Sequence, residues 1–453
     1  MMRNILLYLM LTMAVINTAM AQVWQVSPQD NLQSILDNTN DGDTVILSNG
    51  NYFGNFTVNQ AITLRGCDCD NSSGAIIDAQ GKGHAIQLFS SNISVENLTI
   101  INWGDDLTEQ NSAIYSDKKA DHILIQNNQL HGSGFGIWLQ RAEHIKVLNN
   151  TIVGNPKLRS ADRGNGIQLS GVKHVEVRGN NVSKTRDGLY IISSQQNVLD
   201  GNTMHDLRYG IHYMYSHSNK VLNNLAYNTR AGYALMSSKH LTVTANTSNN
   251  SEDYGFLMNF ITSSTISDNV IENVWTKPEN KVLGRDGKGL FVYNSAYNTI
   301  TGNVINTAEI GIHLTAGSEN TQVYGNSFIN NPTQVKYVSN KKQEWSKDGK
   351  GNYWSNYLGW DMDNDFVGDV IFEPNDGIDK LVWQYPEMKM LMDSPAVLIL
   401  RWVQRQFPVL KPPGVKDSYP LMQSPHHNLE EMTVATISSS AGISSSTKPD
   451  AQH

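Results

Sequence analysis

The sequence predicts an all-β protein, a right-handed parallel β-helix of about eleven coils of ~22 residues with a small irregular and helical C-terminal cap. Three periodic features carry that expectation. A glycine followed by an apolar residue recurs at Gly136, Gly166, Gly188, Gly210, Gly232, Gly255, Gly289 and Gly311, in steps of 30, 22, 22, 22, 23, 34 and 22. Fourteen residues after the first seven of these comes an asparagine: Asn150, Asn180, Asn202, Asn224, Asn246, Asn269 and Asn303; after Gly311 it slips by one, to Asn326. Between the markers apolar residues alternate, as in Ile211/Tyr213, Tyr233/Leu235 and Val175/Val177. Alternation of period two means short strands with one buried face, and the spacing of three and four that a helix needs is absent.

The elements follow in chain order. A charged start, an apolar run from Ile5 to Val15 and the small-x-small site Ala19-Met20-Ala21 have the layout of a Sec leader over 1–21. The run is too short to span a membrane. The β-helix is expected over 22–343, with an opening coil near Asp43–Leu64 and weaker coils at Ala85–Ile100 and Ala113–Leu130. Two cysteines, Cys67 and Cys69, lie in C-D-C-D. They are two thiols, a local disulfide or thiolate donors short of a complete metal site. The two long glycine steps are whole coils plus insertions, at Asn155–Arg163 and around Lys277–Asp286. Stacked coils bring equivalent asparagines together about 4.8 Å apart, so their amides can bond along a ladder.

Register then sorts the stretch R-Y-G-I-H-Y-M-Y at Arg208–Tyr215. Ile211 and Tyr213 match inward positions, His212 and Met214 outward ones. Trp138, Gln168, Tyr190, Ala234, Leu257, Phe291 and His313 align with His212; Gln140, Ser170, Ile192, Met236, Asn259, Tyr293 and Thr315 align with Met214. An outward face this apolar and aromatic has three readings. A loop or partner protein covers it, aromatic rings stack on a sugar chain, or thioether and imidazole hold a soft ion such as Cu(I) on Met214, Met236 and His212.

The repeat stops after Asn330, and 344–423 reads as the cap. There Asp361-x-Asp363-x-Asp365-x-x-Gly368-Asp369 sets carboxylates at alternating loop positions, which is oxygen-ligand chemistry for a structural Ca²⁺. It is not an EF-hand: Phe366 stands at the sixth position and no Glu at the twelfth. A solvated acidic turn is the competing reading. Ser394–Pro408 is a helix of about a dozen residues bracketed by prolines. Leu398, Arg401, Trp402, Arg405 and Phe407 make it a candidate for packing on the β-helix end or for docking on a membrane partner. A serine-rich tail over 424–453 reads as disordered.

Composition narrows the partners. The formal charge is −8 and the pI about 5.9, with no dominant basic face, so nucleic acid is not expected. No G-x-x-x-x-G-K-[ST] is present, so ATP hydrolysis is left to another subunit.

Several strings together resemble the NosD family: Arg208–His217, Gly232–Met236, Gly311–Ser318, Gln334–Tyr337, Gln343–Ser346, Gly351–Ser355, Tyr357–Asp361, Glu373–Gly377 and Arg401–Pro408. The resemblance spans roughly 22–422. It implies an exported, non-enzymatic β-helix protein that works in the periplasm, associated with the inner membrane through its partners. Those partners would be the permease and ATPase subunits of an ABC transporter, a copper-donor lipoprotein and apo nitrous oxide reductase, whose copper centres it helps to build. Copper would be held transiently or handed over, and Ser394–Pro408 would anchor the chain to the permease. Phe366, the C-D-C-D insertion and the serine-rich tail depart from the family pattern. Two other classes share the fold. A polysaccharide lyase, hydrolase or epimerase needs paired carboxylates or a calcium site with a base; Asp105-Asp106 and Arg186-Asp187 are the candidates, without a nearby G-H-G or R-x-K string. A loop turn and a surface ion pair are their plainer readings. An adhesive scaffold would explain the stripe without metal.

Overall fold

The computed structural model describes residues 21–67, 74–116, 120–282, 284–339, 341–391, 394–407 and 413–426. The leader up to residue 20, Cys69 and the tail beyond residue 426 lie outside the described residues.

Short strands stack coil on coil into a right-handed parallel β-helix. One face is a 13-stranded parallel sheet running from Val23–Val26 to Gln322–Tyr324. Thirteen rungs exceed the eleven expected because the first coils carry no glycine–asparagine marker. The other two faces merge into a 22-stranded sheet, since the strands Thr203–Met214, Leu225–Met236 and Thr247–Asn259 turn the corner without a break. Asp206, Asn228 and Asn250 take the left-handed backbone at that corner, with φ of 56°, 52° and 54°. Asp and Asn tolerate that region better than most residues. Gly210 marks a tighter point, where a Cβ would lie 2.6 Å from the Gly232 carbonyl oxygen and 2.7 Å from Ala226.

Inward side chains form one continuous core. Ile211, Tyr213, Tyr233, Leu235, Val175 and Val177 are all fully buried, as the alternation requires. A short helix, α1 (Leu32–Asp37), buries Leu32 and Leu36 against the first coils.

An asparagine ladder runs through this core. Ten amides from Asn128 to Asn352 pass hydrogen bonds of 2.9–3.0 Å from each Nδ2 to the Oδ1 of the next. Each amide also satisfies backbone left over by the turn. Asn224 Oδ1 accepts from the Asn202 backbone N–H at 3.0 Å, and its Nδ2 donates to the Leu199 carbonyl at 3.0 Å. The one-residue slip at Asn326 does not break the run. The last donor meets a carboxylate: Asp417, fully buried, accepts from Asn352 N at 2.8 Å, Asn352 Nδ2 at 3.3 Å, Trp354 Nε1 at 2.9 Å and Tyr419 N at 3.1 Å. Burial pushes the Asp417 carboxyl up, and these donors oppose the shift.

Parallel stacking continues past 343. Ser327 and Phe328 pair with Tyr353 and Trp354, and Asn352 extends the ladder across a longer coil of 26 residues from Asn326. The returning segment then closes the end, with Val415–Lys416 beside Gln343–Glu344 and Leu421 bridging to Tyr353. Between them projects a hairpin of α2 (Gly377–Gln384) and α3 (Pro395–Gln406).

Asn224→Ala would leave the Asn202 N–H buried without a partner, take from the Leu199 carbonyl its second donor and break the amide row. Denaturant unfolding is expected to show a loss of about 3 kcal/mol, whereas an exposed asparagine such as Asn181→Ala should cost under about 1 kcal/mol.

Candidate metal centre

The outer column is in register rung by rung. Trp138, Gln168, Tyr190, His212, Ala234, Leu257, Phe291, His313 and Lys336 are successive Cα partners. So are Gln140, Ser170, Ile192, Met214, Met236, Asn259 and Tyr293. The three residues singled out for copper therefore share one face. Met214 and Met236 lie side by side on adjacent rungs, and His212 is two residues back along the same strand.

Outward does not mean solvated here. The His212 side chain is only 9% exposed. Tyr190 and Tyr209 set their rings edge-on against it, at centroid distances of 4.6 and 5.2 Å. Its Nδ1 lies 2.9 Å from Asp187 Oδ2. Asp187 is 1% exposed and is gripped from the other side by Arg208, with Nε to Oδ1 at 2.8 Å and Nη2 to Oδ2 at 2.6 Å. Burial works against the Asp187 charge, but the hydrogen bonds from His212 and Arg208 outweigh it and hold the carboxyl below its usual range. The other imidazole nitrogen, Nε2, is buried and has no hydrogen-bond partner. Met214 and Met236 are half-buried, and the Tyr190 hydroxyl donates to the Met214 sulfur at 3.2 Å. One rung further, Asn259 Oδ1 is also buried without a partner.

Asp187 corrects the reading of Arg186-Asp187 as a surface ion pair: it is a core carboxylate whose partners are Arg208 and His212, one rung on. Both its oxygens are engaged. Asp105-Asp106 is a turn, in which Asp106 Oδ1 accepts from Thr108 N at 2.8 Å and Glu109 N at 3.1 Å. Sequence reasoning named Asp187, Arg208 and Tyr190 but did not join them to His212; the step of 22 from Asp187 to Tyr209 and the alignment of Tyr190 with His212 were the available signals.

In the cap, Asp361, Asp363 and Asp365 bring carboxylate oxygens within 4.8 Å of one another. Repulsion from Asp365 raises the Asp363 carboxyl. Phe366 takes φ of 66°, the backbone that a glycine would supply. Asp369 turns elsewhere, accepting from Met362 N at 2.8 Å, and both Asp361 oxygens accept loop N–H groups, from Asn364 at 2.7 Å and Phe366 at 2.9 Å. Three of the four expected ligands thus converge. Cys67 is disulfide-bonded.

On α3, Ser394 caps the first turn and Pro395 opens it. Leu398, Trp402 and Phe407 are 57%, 60% and 58% exposed, with Ile399 and Leu400 exposed beside them. Val397 packs on Ile378 and Val382 of α2. Arg401 departs from the expectation that it faces a membrane partner: it donates to Asp376 at 2.5 Å and Asp379 at 2.9 Å, the two carboxylates of the α2 capping box. The Arg405 side chain lies outside the described ones.

These features define a parallel β-helix protein that presents soft metal donors on its outer face and an apolar helical hairpin at its C-terminal end. Comparison with known proteins gives the family. Residues 148–359 match the family model described as periplasmic copper-binding protein (NosD). A probable ABC transporter binding protein NosD from Pseudomonas aeruginosa is 53% identical over 381 residues, 84% of this chain and 88% of that protein. Its namesake from Stutzerimonas stutzeri is 49% identical over 383 residues, 84% and 87%. The chain belongs to the NosD family. Among solved structures, a Yersinia enterocolitica family 28 exopolygalacturonase has a TM-score of 0.51 at 11% identity, over 70% of this chain and 77% of that one. The Streptococcus pneumoniae adhesin PfbA has a TM-score of 0.50 at 12% identity, over 66% and 92%. At these identities the likeness is one of fold.

Further along the column, His313 has a buried Nδ1 without a partner. Burial first, then Lys336 and Lys288, pushes its pKa down to about 3. Between the unfolded value near pH 6.5 and about 3, the unfolded chain binds a proton that the fold refuses, so stability drops as pH falls through that window. Denaturation midpoints measured from pH 7 to 4 should fall less steeply for His313→Phe than for the unaltered chain.

Proposed function

We propose that this protein is a periplasmic accessory subunit of an ABC transporter and takes part in building the copper centres of nitrous oxide reductase. It holds Cu(I) transiently on His212, Met214 and Met236. The observation that carries the reading is the buried, unpartnered Nε2 of His212 beside two thioethers on paired rungs. A buried polar atom without a hydrogen bond is costly, and a ligand removes that cost. Imidazole with thioether is a soft donor set that suits Cu(I) over hard cations. Thioethers bind weakly at a half-exposed face, which favours hand-over from a donor lipoprotein to the apo reductase over storage.

The transporter supplies the permease and the ATPase. No helix of the described residues is long and apolar enough to cross a membrane. In this reading α3, with exposed Leu398 and Trp402, and Phe407 at its end dock on the permease. Arg401 contributes by fastening α3 to α2. A Ca²⁺ ion on Asp361, Asp363 and Asp365 has a structural role in this reading, completed by water; chelation would lower the melting temperature of the cap and leave copper binding unchanged.

Anaerobic titration against a chromophoric Cu(I) chelator tests the copper reading. The unaltered chain should compete for one Cu(I), and Met214→Ala with Met236→Ala should abolish competition. Equal competition by the double variant would sink the proposed site.

A second measurement tests docking. With residues 377–412 replaced by a short Gly-Ser linker, the coils should still fold and bind Cu(I), but the chain should no longer co-purify with membranes that contain the permease. Retained co-purification would remove the hairpin from the interface.

A further inference from the structure

Resting on the copper reading, we infer that three residues outside the ligand set position the site. Asp187, backed by Arg208, presents Nε2 of His212 as the nitrogen donor, and Tyr190 holds the Met214 sulfur until metal arrives.

The geometry at His212 leaves one arrangement of the ring proton. Asp187 Oδ2 already accepts from Arg208 Nη2 at 2.6 Å, and it lies 2.9 Å from Nδ1. An ionised carboxylate has no proton to give, so Nδ1 must donate. In the neutral ring Nε2 then carries the lone pair. That is the nitrogen that lacks any partner. Arg208 fixes the carboxylate plane with two parallel hydrogen bonds, a fork that lysine cannot reproduce. A carboxylate behind a ligating histidine fixes the tautomer, aims the ring and raises its basicity.

Tyr190 acts on the other donor. Its hydroxyl donates to Met214 Sδ at 3.2 Å while its ring lies edge-on to His212. The hydrogen bond occupies one sulfur lone pair and draws electron density from the thioether. It therefore competes with a metal ion and keeps the site weak enough to release its cargo. The two effects have opposite signs: Asp187 strengthens the site and Tyr190 loosens it.

The test reads the imidazole directly and the metal separately. Long-range ¹H–¹⁵N spectra of the ¹⁵N-histidine-labelled chain, with His212 assigned by His212→Gln, should show Nδ1 protonated and Nε2 bare. Asp187→Asn should lose that preference and weaken Cu(I) competition about 10- to 100-fold, the usual cost of removing a group behind a ligand. Where Asp187→Asn folds poorly, Arg208→Ala and Arg208→Lys take its place, and lysine should recover only part of the loss. Tyr190→Phe keeps the ring and removes the hydroxyl; it should tighten Cu(I) binding about fivefold, the equivalent of one ordinary hydrogen bond. A protonated Nε2 in the unaltered chain, or an Asp187→Asn variant unchanged in spectrum and affinity, would overturn the role of Asp187. Unchanged or weaker binding by Tyr190→Phe would overturn the latch. If the unaltered chain binds no Cu(I), the copper reading fails, and the spectrum still decides whether Asp187 positions the ring.

Discussion

From Asn128 to Asn352 each coil of this protein places one amide at the same point of the turn. Asn150, Asn180, Asn202 and their successors each accept two N–H donors from one neighbour and donate to the next. The turn they occupy leaves a buried N–H that the strand ladder does not reach, and an amide, with donors and an acceptor on one short side chain, accepts from it while donating to the next amide and to a strand carbonyl. Aspartate could not donate along the row, and serine would not reach as far. The row has direction, so its final donors need an acceptor, and Asp417 provides one from the segment that closes the end. Stacking, register and closure thus depend on the same hydrogen-bonded line.

The outer face inherits its register from that line. Because each coil is locked to the next at the asparagine, residues a whole coil apart are neighbours, and Met214 meets Met236 with no freedom to slip. Two thioethers from distant parts of a chain seldom meet by chance on a flexible loop. On stacked rungs they meet because the repeat is 22 residues long. The insertions Asn155–Arg163 and Lys277–Asp286 do not disturb this, since both leave at corners and rejoin in register.

The sequence made the column legible and the depth illegible. Spacing alone located Ile211 and Tyr213 inside, His212 and Met214 outside, and the pairing of the two methionines. It could not show that Tyr190 and Tyr209 close over His212, because ring directions depend on neighbours one rung away. Nor could it show that Asp187 is held by Arg208 of the next rung and not by the adjacent Arg186, because side-chain directions at a coil corner do not follow strand alternation. The cap was less legible still, because it has no period. Trp354 completes a last coil inside the segment expected to be irregular, and Arg401 is used up on the capping box of α2.

Low polarity around His212 gives the arrangement its force. In water a carboxylate–imidazole hydrogen bond adds little net stability, since solvent competes for both groups. Here both partners are excluded from solvent and the bond is stronger, so a proton on the wrong nitrogen would leave Asp187 facing a lone pair. The site is rigid for the same reason that the coils are. From His212 to Lys336 are five rungs, about 24 Å of parallel stacking with no hinge in it. A partner seated on α2 and α3 would therefore hold the donor face at a set height and angle. Transfer of a weakly held ion requires donor and acceptor ligands to come within bonding distance at the same moment, and a stiff spacer meets that requirement more often than a flexible tether.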